Sequence, residues 1–198
     1  MSTTSIKTGS TKKNFSIKQS EMCHDGFFKL KRHTIQYDKF DGTISKPHRR
    51  EVLVRDPTVA TLLYDEERDS ILLTEQFRVG PLENGDNPWM FEIPAGIVEK
   101  GEDKRKAIER EILEETGYSC EAGELIGEFY LSPGGSNEVT TLFFSRLELT
   151  SSGMHGAMGE NEDIKTHILP VSKACELMQQ GNLSVITGLA LMWLINNK

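Results

Sequence analysis

The hydrophobic positions of this chain fall mostly in short runs that predict β-strands. β-branched and aliphatic residues dominate these runs, and polar turn-forming residues separate them. The predicted strands cover residues 58–64, 71–79, 90–93, 125–131, 139–147 and 164–169. Many strands, few helices and long mixed connections predict an α+β domain or a three-layer α/β/α domain.

Three other stretches predict helices. Residues 103–116 contain helix formers and no proline, and they end at Gly117, which favours a left-handed C-cap. A second helix is predicted from an N-cap at Ser172 to Gln180, and a third spans residues 184–196. The apolar run of the third helix is too short to cross a bilayer, so we interpret it as a core helix and expect no membrane partner.

The N-terminal part of the chain is expected to contain a leader and a small β region. Residues 1–21 form the predicted disordered leader, because Ser, Thr and Lys are abundant there and no apolar signal segment is present. Residues 22–56 form two extended segments around Asp41-Gly42, a pair typical of hairpins. This region has too few apolar residues for its own core. We therefore expect a homodimer in which it packs on, or is exchanged with, the second subunit, and residues 57–198 form the main domain.

Composition limits the possible partners and the compartment. Lys and Arg number 23 against 30 Asp and Glu, and the net charge of −7 argues against a protein that coats nucleic acid. A phosphorylated ligand would therefore require local arginines and a metal ion. Cys23, Cys120 and Cys175 lie far apart without metal-ligand spacing, which is typical of a reducing cytoplasm.

The first predicted helix has an acidic face that suggests a metal site. Glu111, Glu114 and Glu115 share one face, and Ile108 and Ile112 lie on the adjoining arc. Like charges at this spacing repel by roughly 0.2–0.5 kcal/mol per pair. Carboxylates that border a packed core would protonate unless a cation keeps them ionised. Oxygen ligands without His or Cys favour Mg²⁺, with Mn²⁺ second. A solvated acidic helix is the alternative interpretation.

Residues 96–118 match the pattern G-x5-E-x7-R-E-U-x-E-E-x-G-U, in which U is apolar, at eight of nine specified positions. The exception is Tyr118, at a packing position where an aliphatic residue is usual. This pattern is the signature of the Nudix hydrolases, which the chain therefore resembles. Members of that family bind divalent metal with a loop–helix–loop and hydrolyse a nucleoside diphosphate linked to another group. The resemblance implies an α/β/α sandwich with a mixed sheet.

The resemblance also implies roles within this motif. Two or three Mg²⁺ ions would be bound by the carbonyl of Ala95 and the carboxylates of Glu111, Glu114 and Glu115. Glu115 would be a catalytic residue as well as a ligand. Glu102 would pair with Arg110 and fix the loop to the helix, or contact a metal ion through water. Gly96 and Gly117 would be structural residues at the two ends of the motif.

Segments outside the motif resemble the bacterial ADP-ribose pyrophosphatases, a Nudix subfamily, over about residues 26–196. The similar segments are 48–55, 74–78, Pro133 within 132–138, and 155–164. The reaction implied is hydrolysis of ADP-ribose to AMP and ribose 5-phosphate, so the expected partner is a small nucleoside diphosphate sugar. The alternatives are hydrolysis of another such sugar, for example GDP-mannose, and a non-catalytic ADP-ribose-binding module. The acidic net charge disfavours an RNA-decapping enzyme.

Four residues on the predicted N-terminal and central strands are candidate substrate contacts. Arg55 and Arg78 would bind phosphates bidentately, and surface ion pairs are the alternative. Arg50 and Glu51 would lie near the adenosine end, and a strand-edge salt bridge is the alternative.

The remaining candidates lie in loops. Phe27 would stack on adenine, or else belong to the core with Phe28. Glu138 would contact substrate or a metal-bound water, or else be an ordinary polar loop residue. The resemblance assigns the general base to Glu160, with Glu162 assisting, and a solvated acidic loop is the alternative.

Overall fold

The structure is a computed structural model that describes residues 13–156, 163–181 and 183–198. The chain divides into two compact units. Within the described residues, the first unit contains 13–55 and 132–137, and the second contains 56–131 and most of 138–198. The sequence predicts a boundary between residues 56 and 57, whereas the structure divides the chain one residue earlier and adds the loop 132–137 to the first unit.

The first unit is a three-stranded antiparallel sheet of β1 (Phe15–Asp25), β2 (Lys29–Tyr37) and β3 (His48–Val54), in that order. Asp41-Gly42 lies in the β2–β3 connection as expected. Gly42 has a φ of 83°, and the Asp41 carboxylate accepts hydrogen bonds from the backbone N–H and hydroxyl of Thr43. The local sequence thus forms this turn through a left-handed glycine and an Asx contact.

The predicted extent of the leader is wrong, because residues 15–21 lie in β1. Every residue of this strand except Ser16 is exposed. Backbone pairing with β2 and the ion pair between Arg32 and Glu21, at 2.8 Å, therefore hold the strand without a buried face. Its polar sequence carries no alternation that could predict it.

The second unit contains eight strands in one mixed sheet. They are β4 (Thr58–Asp65), β5 (Ser70–Phe77), β6 (Trp89–Glu92), β7 (Ala95–Ile97), β8 (Glu124–Tyr130), β9 (Val139–Arg146), β10 (Met154–His155) and β11 (Ile164–Pro170). The order is β10-β11-β5-β4-β9-β8, with β6 beside β5 and β7 beside β4. Only the β4–β9 pair is parallel among the described strand pairs.

The helices of this unit are α1 (Lys104–Thr116), α2 (Val171–Gln180) and α3 (Val185–Asn197), with a short 3₁₀ helix at Gly80–Asn84. Asp103 and Ser184 are the N-caps of α1 and α3, whereas α2 begins after Pro170. The prediction of Ser172 as N-cap is therefore wrong, because Val171 already lies in the helix and is buried. No helix in the described part of the chain is long and apolar enough to cross a bilayer.

Alternating side chains of the central strands supply two cores. Val59 and Leu63 of β4 pack with Ile108 and Ile112 of α1. Ala60, Leu62 and Tyr64 point to the opposite face and join a second cluster with residues of α2 and α3. Both faces of β4 are therefore apolar, and the sheet lies between helices. The predicted α+β fold, an α/β/α sandwich with a mixed sheet, is confirmed.

Candidate active site

The loop before α1 is fixed by the short strand β7. Ala95 and Gly96 pair with Ala60 and Val59 of β4, and the N–H of Thr61 donates to the carbonyl of Pro94 at 3.0 Å. A Cβ at Gly96 would lie 1.9 Å from the carboxyl carbon of Glu111. Glycine is therefore required at residue 96 for the Glu111 carboxylate to lie against this loop.

The two ends of α1 are determined locally. The Asp103 side chain accepts from the N–H groups of Arg105 and Lys106, at 2.9 and 3.4 Å. Gly117 has a φ of 71°, and its N–H donates to the carbonyl of Leu113 at 3.0 Å. These caps fix where the helix begins and ends.

The acidic face of α1 borders the core as predicted. Ile108 and Ile112 are completely buried, and Glu115 is only 4% exposed. The Glu111 side chain is 12% exposed and that of Glu114 is 44% exposed. The three carboxylates thus form a gradient from the packed interior to solvent.

Arg110 connects the helix to the preceding loop. Its Nε and Nη2 donate to the two carboxylate oxygens of Glu102, both at 3.1 Å, and Nη2 also donates to the carbonyl of Ile97 at 3.1 Å. The predicted pairing of Glu102 with Arg110 is therefore present. The guanidinium, and then the N–H of Glu99 at 2.9 Å, hold the pKa of Glu102 below its usual value. The hydrogen bonds to Glu102, and then the carboxylates of Glu111 and Glu114, raise the pKa of Arg110.

Arg110 also contacts two of the candidate metal ligands. Its Nη1 donates to Oε1 of Glu111 at 2.7 Å and to Oε2 of Glu114 at 3.1 Å. Glu115 is positioned differently, because its Oε2 accepts from the N–H of Ala95 at 3.0 Å. The guanidinium thus contacts three carboxylates, those of Glu102, Glu111 and Glu114, and Glu115 adds a fourth on the same helix, so negative charge is in excess around the helix.

The donor set of this cluster fits a hard divalent cation. Every side-chain donor is a carboxylate oxygen, and Ala95 lies next to Glu115. Among residues 13–156, 163–181 and 183–198, no three His, Cys, Asp or Glu side chains already converge as metal ligands. Glu111 and Glu114 are instead held by Arg110. A cation would therefore have to draw these two carboxylates from their ion pairs.

Arg55 is fixed in the first unit by the loop 132–137. The N–H of Arg55 donates to Oδ1 of Asn137 at 2.7 Å, and Nδ2 of Asn137 donates to the carbonyl of Arg55 at 3.0 Å. The Arg55 guanidinium lies 4.7 Å from the centre of the Phe28 ring. Phe27 contacts Phe28 edge-on and is 87% exposed, so the alternative that Phe27 belongs to the core is wrong.

The other predicted contacts have partners within their own units. Glu51 accepts from Nε and Nη2 of Arg32 at 3.0 and 2.7 Å, which is the strand-edge salt bridge considered as its alternative. The Arg50 side chain donates to the carbonyl of Arg49 at 2.9 Å. In the second unit, Arg78 forms an ion pair with Glu92 at 2.7 Å.

Glu138 is half-buried in the second unit, and its carbonyl accepts from the N–H of Leu131 at 3.3 Å. Glu160 and Glu162, the candidate bases, lie outside the described residues. The structure therefore brings together the residues of the 96–118 motif, and the substrate roles of the other candidates remain predictions.

A comparison with known protein families includes the loop, the capped helix and the acidic cluster in one matched domain. The NUDIX domain profile matches residues 54–187. The chain belongs to the Nudix hydrolase family. The match covers the whole second unit as far as α3 begins, including the loop and helix of the acidic cluster.

Individual Nudix relatives cover almost the whole chain. An ADP-ribose pyrophosphatase of Escherichia coli strain K12 is 31% identical over 92% of this chain and 88% of its own length. An ADP-ribose pyrophosphatase of Haemophilus influenzae is 33% identical over 93% and 87%. A GDP-mannose pyrophosphatase of Cronobacter sakazakii is 35% identical over 85% and 87%. The crystal structure of an ADP compounds hydrolase shares the fold, with a TM-score of 0.70 over 92% of both chains at 15% identity.

Two residues of this Nudix chain make contacts that the sequence analysis missed. Asn137 forms two hydrogen bonds with the backbone of Arg55. The sequence feature that could have indicated this contact is an amide side chain in the segment 132–138. Tyr118 stands where the motif specifies an apolar residue, but its phenol oxygen accepts from the N–H groups of Thr150 and Ser151, both at 2.8 Å. The sequence feature that could have indicated these hydrogen bonds is the polar oxygen of Tyr118 at a packing position.

Proposed function

We propose that this Nudix protein hydrolyses the pyrophosphate of ADP-ribose, with Mg²⁺, to AMP and ribose 5-phosphate. The observation that carries the proposal is the row of Glu115, Glu111 and Glu114, which runs from buried to exposed and in which the last two pair with the guanidinium of Arg110. The choice of substrate is supported by the ADP-ribose pyrophosphatases of Escherichia coli and Haemophilus influenzae, which align with more than nine-tenths of the chain.

The proposed roles follow from donor chemistry and position. Two or three Mg²⁺ ions, replaceable by Mn²⁺, are held by the carbonyl of Ala95 and the carboxylates of Glu111, Glu114 and Glu115. When bound, these ions neutralise the pyrophosphate and lower the pKa of the attacking water. The contact between Arg110 and Glu102 keeps the loop attached to the helix while Glu111 and Glu114 exchange Arg110 for a metal ion. Glu160 removes the proton from the water, and Glu162 assists.

Substrate contacts complete the proposal. Arg55 and Arg78 bind the phosphates, for which Arg78 must exchange its ion pair with Glu92. The exposed ring of Phe27 stacks on adenine. Arg50 and Glu51 lie near the adenosine end in this proposal, and Glu138 contacts the substrate or a metal-bound water.

A second candidate function is hydrolysis of GDP-mannose. It is favoured by the Cronobacter sakazakii relative, which is 35% identical over 85% of this chain. The metal cluster would serve both substrates equally, because both contain a pyrophosphate. The difference would lie in recognition of the base and the sugar.

The test is a substrate panel with purified protein, first treated with chelator and then supplied with Mg²⁺ or Mn²⁺. We expect no turnover without metal, and ADP-ribose converted faster than GDP-mannose or a nucleoside triphosphate, with AMP and ribose 5-phosphate identified by chromatography. Preference for GDP-mannose would replace the proposed substrate but keep the metal mechanism. Turnover that survives complete chelation would contradict the mechanism itself.

The proposed assembly is a homodimer, and the proposed location is the cytoplasm. Exposed aromatic residues of the first unit, including Phe15 and Phe40 at 78% and 99% exposure, support an interface with a second copy. The three free cysteines support a reducing compartment.

A further inference from the structure

Tyr118 lies at the C-terminal end of α1 and contacts a distant segment of the chain. It follows Gly117, the C-cap of the helix, and its ring packs against the core cluster on the α1 side of the sheet. The phenol oxygen accepts from the N–H groups of Thr150 and Ser151, and the hydroxyl donates to the carbonyl of Ser151, all at 2.8 Å. One donor and two acceptor lone pairs are all that a phenol possesses. The backbone of residues 150 and 151 therefore uses the whole hydrogen-bonding capacity of the Tyr118 hydroxyl.

The segment that Tyr118 holds also packs against the end of α1 a few residues later. A Cβ at Gly117 would lie 2.9 Å from Cε1 of His155, and a Cβ at Gly153 would lie 3.0 Å from its Nε2. The imidazole therefore fits between two glycines, one of which caps the metal-binding helix. His155 is paired with Ile164 of β11, which fixes the far end of the segment.

We propose that Tyr118 is a positioning residue for the hydrolytic reaction. Its phenol fixes residues 150 and 151 to the end of the helix that carries Glu115, so that the segment 150–156 keeps one position relative to the metal ligands. The inference extends the proposed function, because this segment leads directly to Glu160. An aliphatic residue at position 118 could fill the same space in the core but could not make these hydrogen bonds.

The Tyr118 hydroxyl should contribute little to overall stability, which distinguishes a positioning role from a purely structural one. Thr150 and Ser151 are exposed, so water can replace the phenol at their N–H groups at little cost in stability. Loss of the hydroxyl should then leave the fold intact while the segment gains freedom relative to α1. Small errors in the position of catalytic groups reduce turnover strongly, whereas substrate affinity changes little if the residue does not touch substrate.

The test compares Tyr118→Phe with Tyr64→Phe in the full-length protein. Tyr64 is a suitable control, because its hydroxyl donates to Oδ1 of Asp69 at 2.9 Å and its ring is more buried, at 5% exposure. Both variants lose one phenol oxygen from the second unit. Only Tyr118→Phe loses a contact between α1 and the segment 150–156.

The first measurement is amide hydrogen exchange over residues 149–156, without substrate or metal. We expect Tyr118→Phe to lose protection at residues 150 and 151, and Tyr64→Phe to keep it. Unchanged exchange in Tyr118→Phe would overturn the proposed anchoring. This result does not depend on activity, so it separates failure of this inference from failure of the proposed function.

The second measurement is steady-state hydrolysis of ADP-ribose at saturating Mg²⁺. We expect kcat of Tyr118→Phe to fall about tenfold with KM within about twofold, and both constants of Tyr64→Phe to stay near those of the wild type. An unchanged kcat in Tyr118→Phe, or an equal loss in both variants, would overturn the positioning role.

Discussion

Arg110 determines how the candidate metal ligands differ from one another. Its guanidinium contacts Glu111 and Glu114, whereas Glu115 accepts from the backbone N–H of Ala95. A cation therefore competes with an arginine for two ligands and with a backbone N–H for the third. Glu115 is also the most buried of the three, so its charge interacts with a cation through less solvent.

The first prediction at the residue scale is that Glu115→Gln loses most of the activity. Glutamine keeps the shape and can still accept from the Ala95 N–H, but it removes the buried negative charge. We expect kcat with Mg²⁺ to fall on the order of a hundredfold or more, measured with ADP-ribose. A decrease below about threefold would show that this face of the helix is merely solvated.

Glu109→Gln is the matched control on the same helix. Its carboxylate lies away from the acidic face and contacts Lys106 at 2.6 Å and the N–H of Ala122 at 3.2 Å. We expect normal kcat in this variant. Equal losses in both variants would indicate damage to the helix rather than to a metal ligand.

Sequence alone predicted the arrangement within the motif because helical periodicity determines it. The spacing of Glu111, Glu114 and Glu115 dictates a shared face, and the buried Ile108 and Ile112 orient that face. It could not predict the partners of exposed arginines, because any of 30 acidic residues could approach them. Which acid pairs with Arg78 depends on β5–β6 pairing, which places Glu92 opposite Thr74, within reach of the Arg78 side chain.

At the scale of elements, the strands with the clearest hydrophobic runs in the sequence are those with buried apolar faces. β4 and β5 have apolar residues on both faces, so their hydrophobic runs are clear in the sequence. β1 escaped prediction because its stability comes from backbone pairing with β2, which leaves no hydrophobic pattern. β7 is three residues long and forms through pairing with β4, so it too lacks a pattern of its own.

Asp65 links the end of β4 to the turn that follows it and to the segment after β9, and it gives a prediction about the pH dependence of stability. At the end of β4, its Oδ2 accepts from the N–H of Leu149 at 2.9 Å and from Nη1 of Arg68 at 2.7 Å. The Leu149 N–H and then the Arg68 guanidinium lower the pKa of Asp65 to about 2. Because an unfolded aspartate has a pKa of about 3.9, the folded state gains stability from the ionised form above that pH and loses it as pH falls towards 2.

We therefore expect Asp65→Asn to lower the midpoint of thermal unfolding near neutral pH by a few degrees. The difference from wild type should shrink between about pH 4 and about pH 2, measured by circular dichroism. Asp86→Asn, in an exposed loop, is the control and should keep a midpoint close to that of the wild type. A gap between wild type and Asp65→Asn that stays constant down to about pH 2 would contradict the assigned pKa.

At the scale of the whole molecule, apolar burial is distributed unequally. All buried hydrophobic residues in the described part of the chain belong to the second unit. The first unit instead exposes eight large hydrophobic side chains, Phe15, Ile17, Met22, Phe27, Phe28, Tyr37, Phe40 and Ile44. A three-stranded sheet without a buried face is at best marginally stable by itself. Burial against a second copy of the chain would supply the missing apolar contacts.

The last prediction is therefore a homodimer that depends on these side chains. Light scattering after size exclusion should give twice the chain mass of 22.3 kDa at micromolar concentration. We expect the double substitution Phe15→Ser, Phe40→Ser to shift the protein towards monomer, because it removes two rings that are 78% and 99% exposed. Tyr130→Ser is the matched control, since this ring is 63% exposed in the second unit and its loss should leave the mass unchanged. A wild-type protein that is monomeric at micromolar concentration and fully active would refute the proposed assembly.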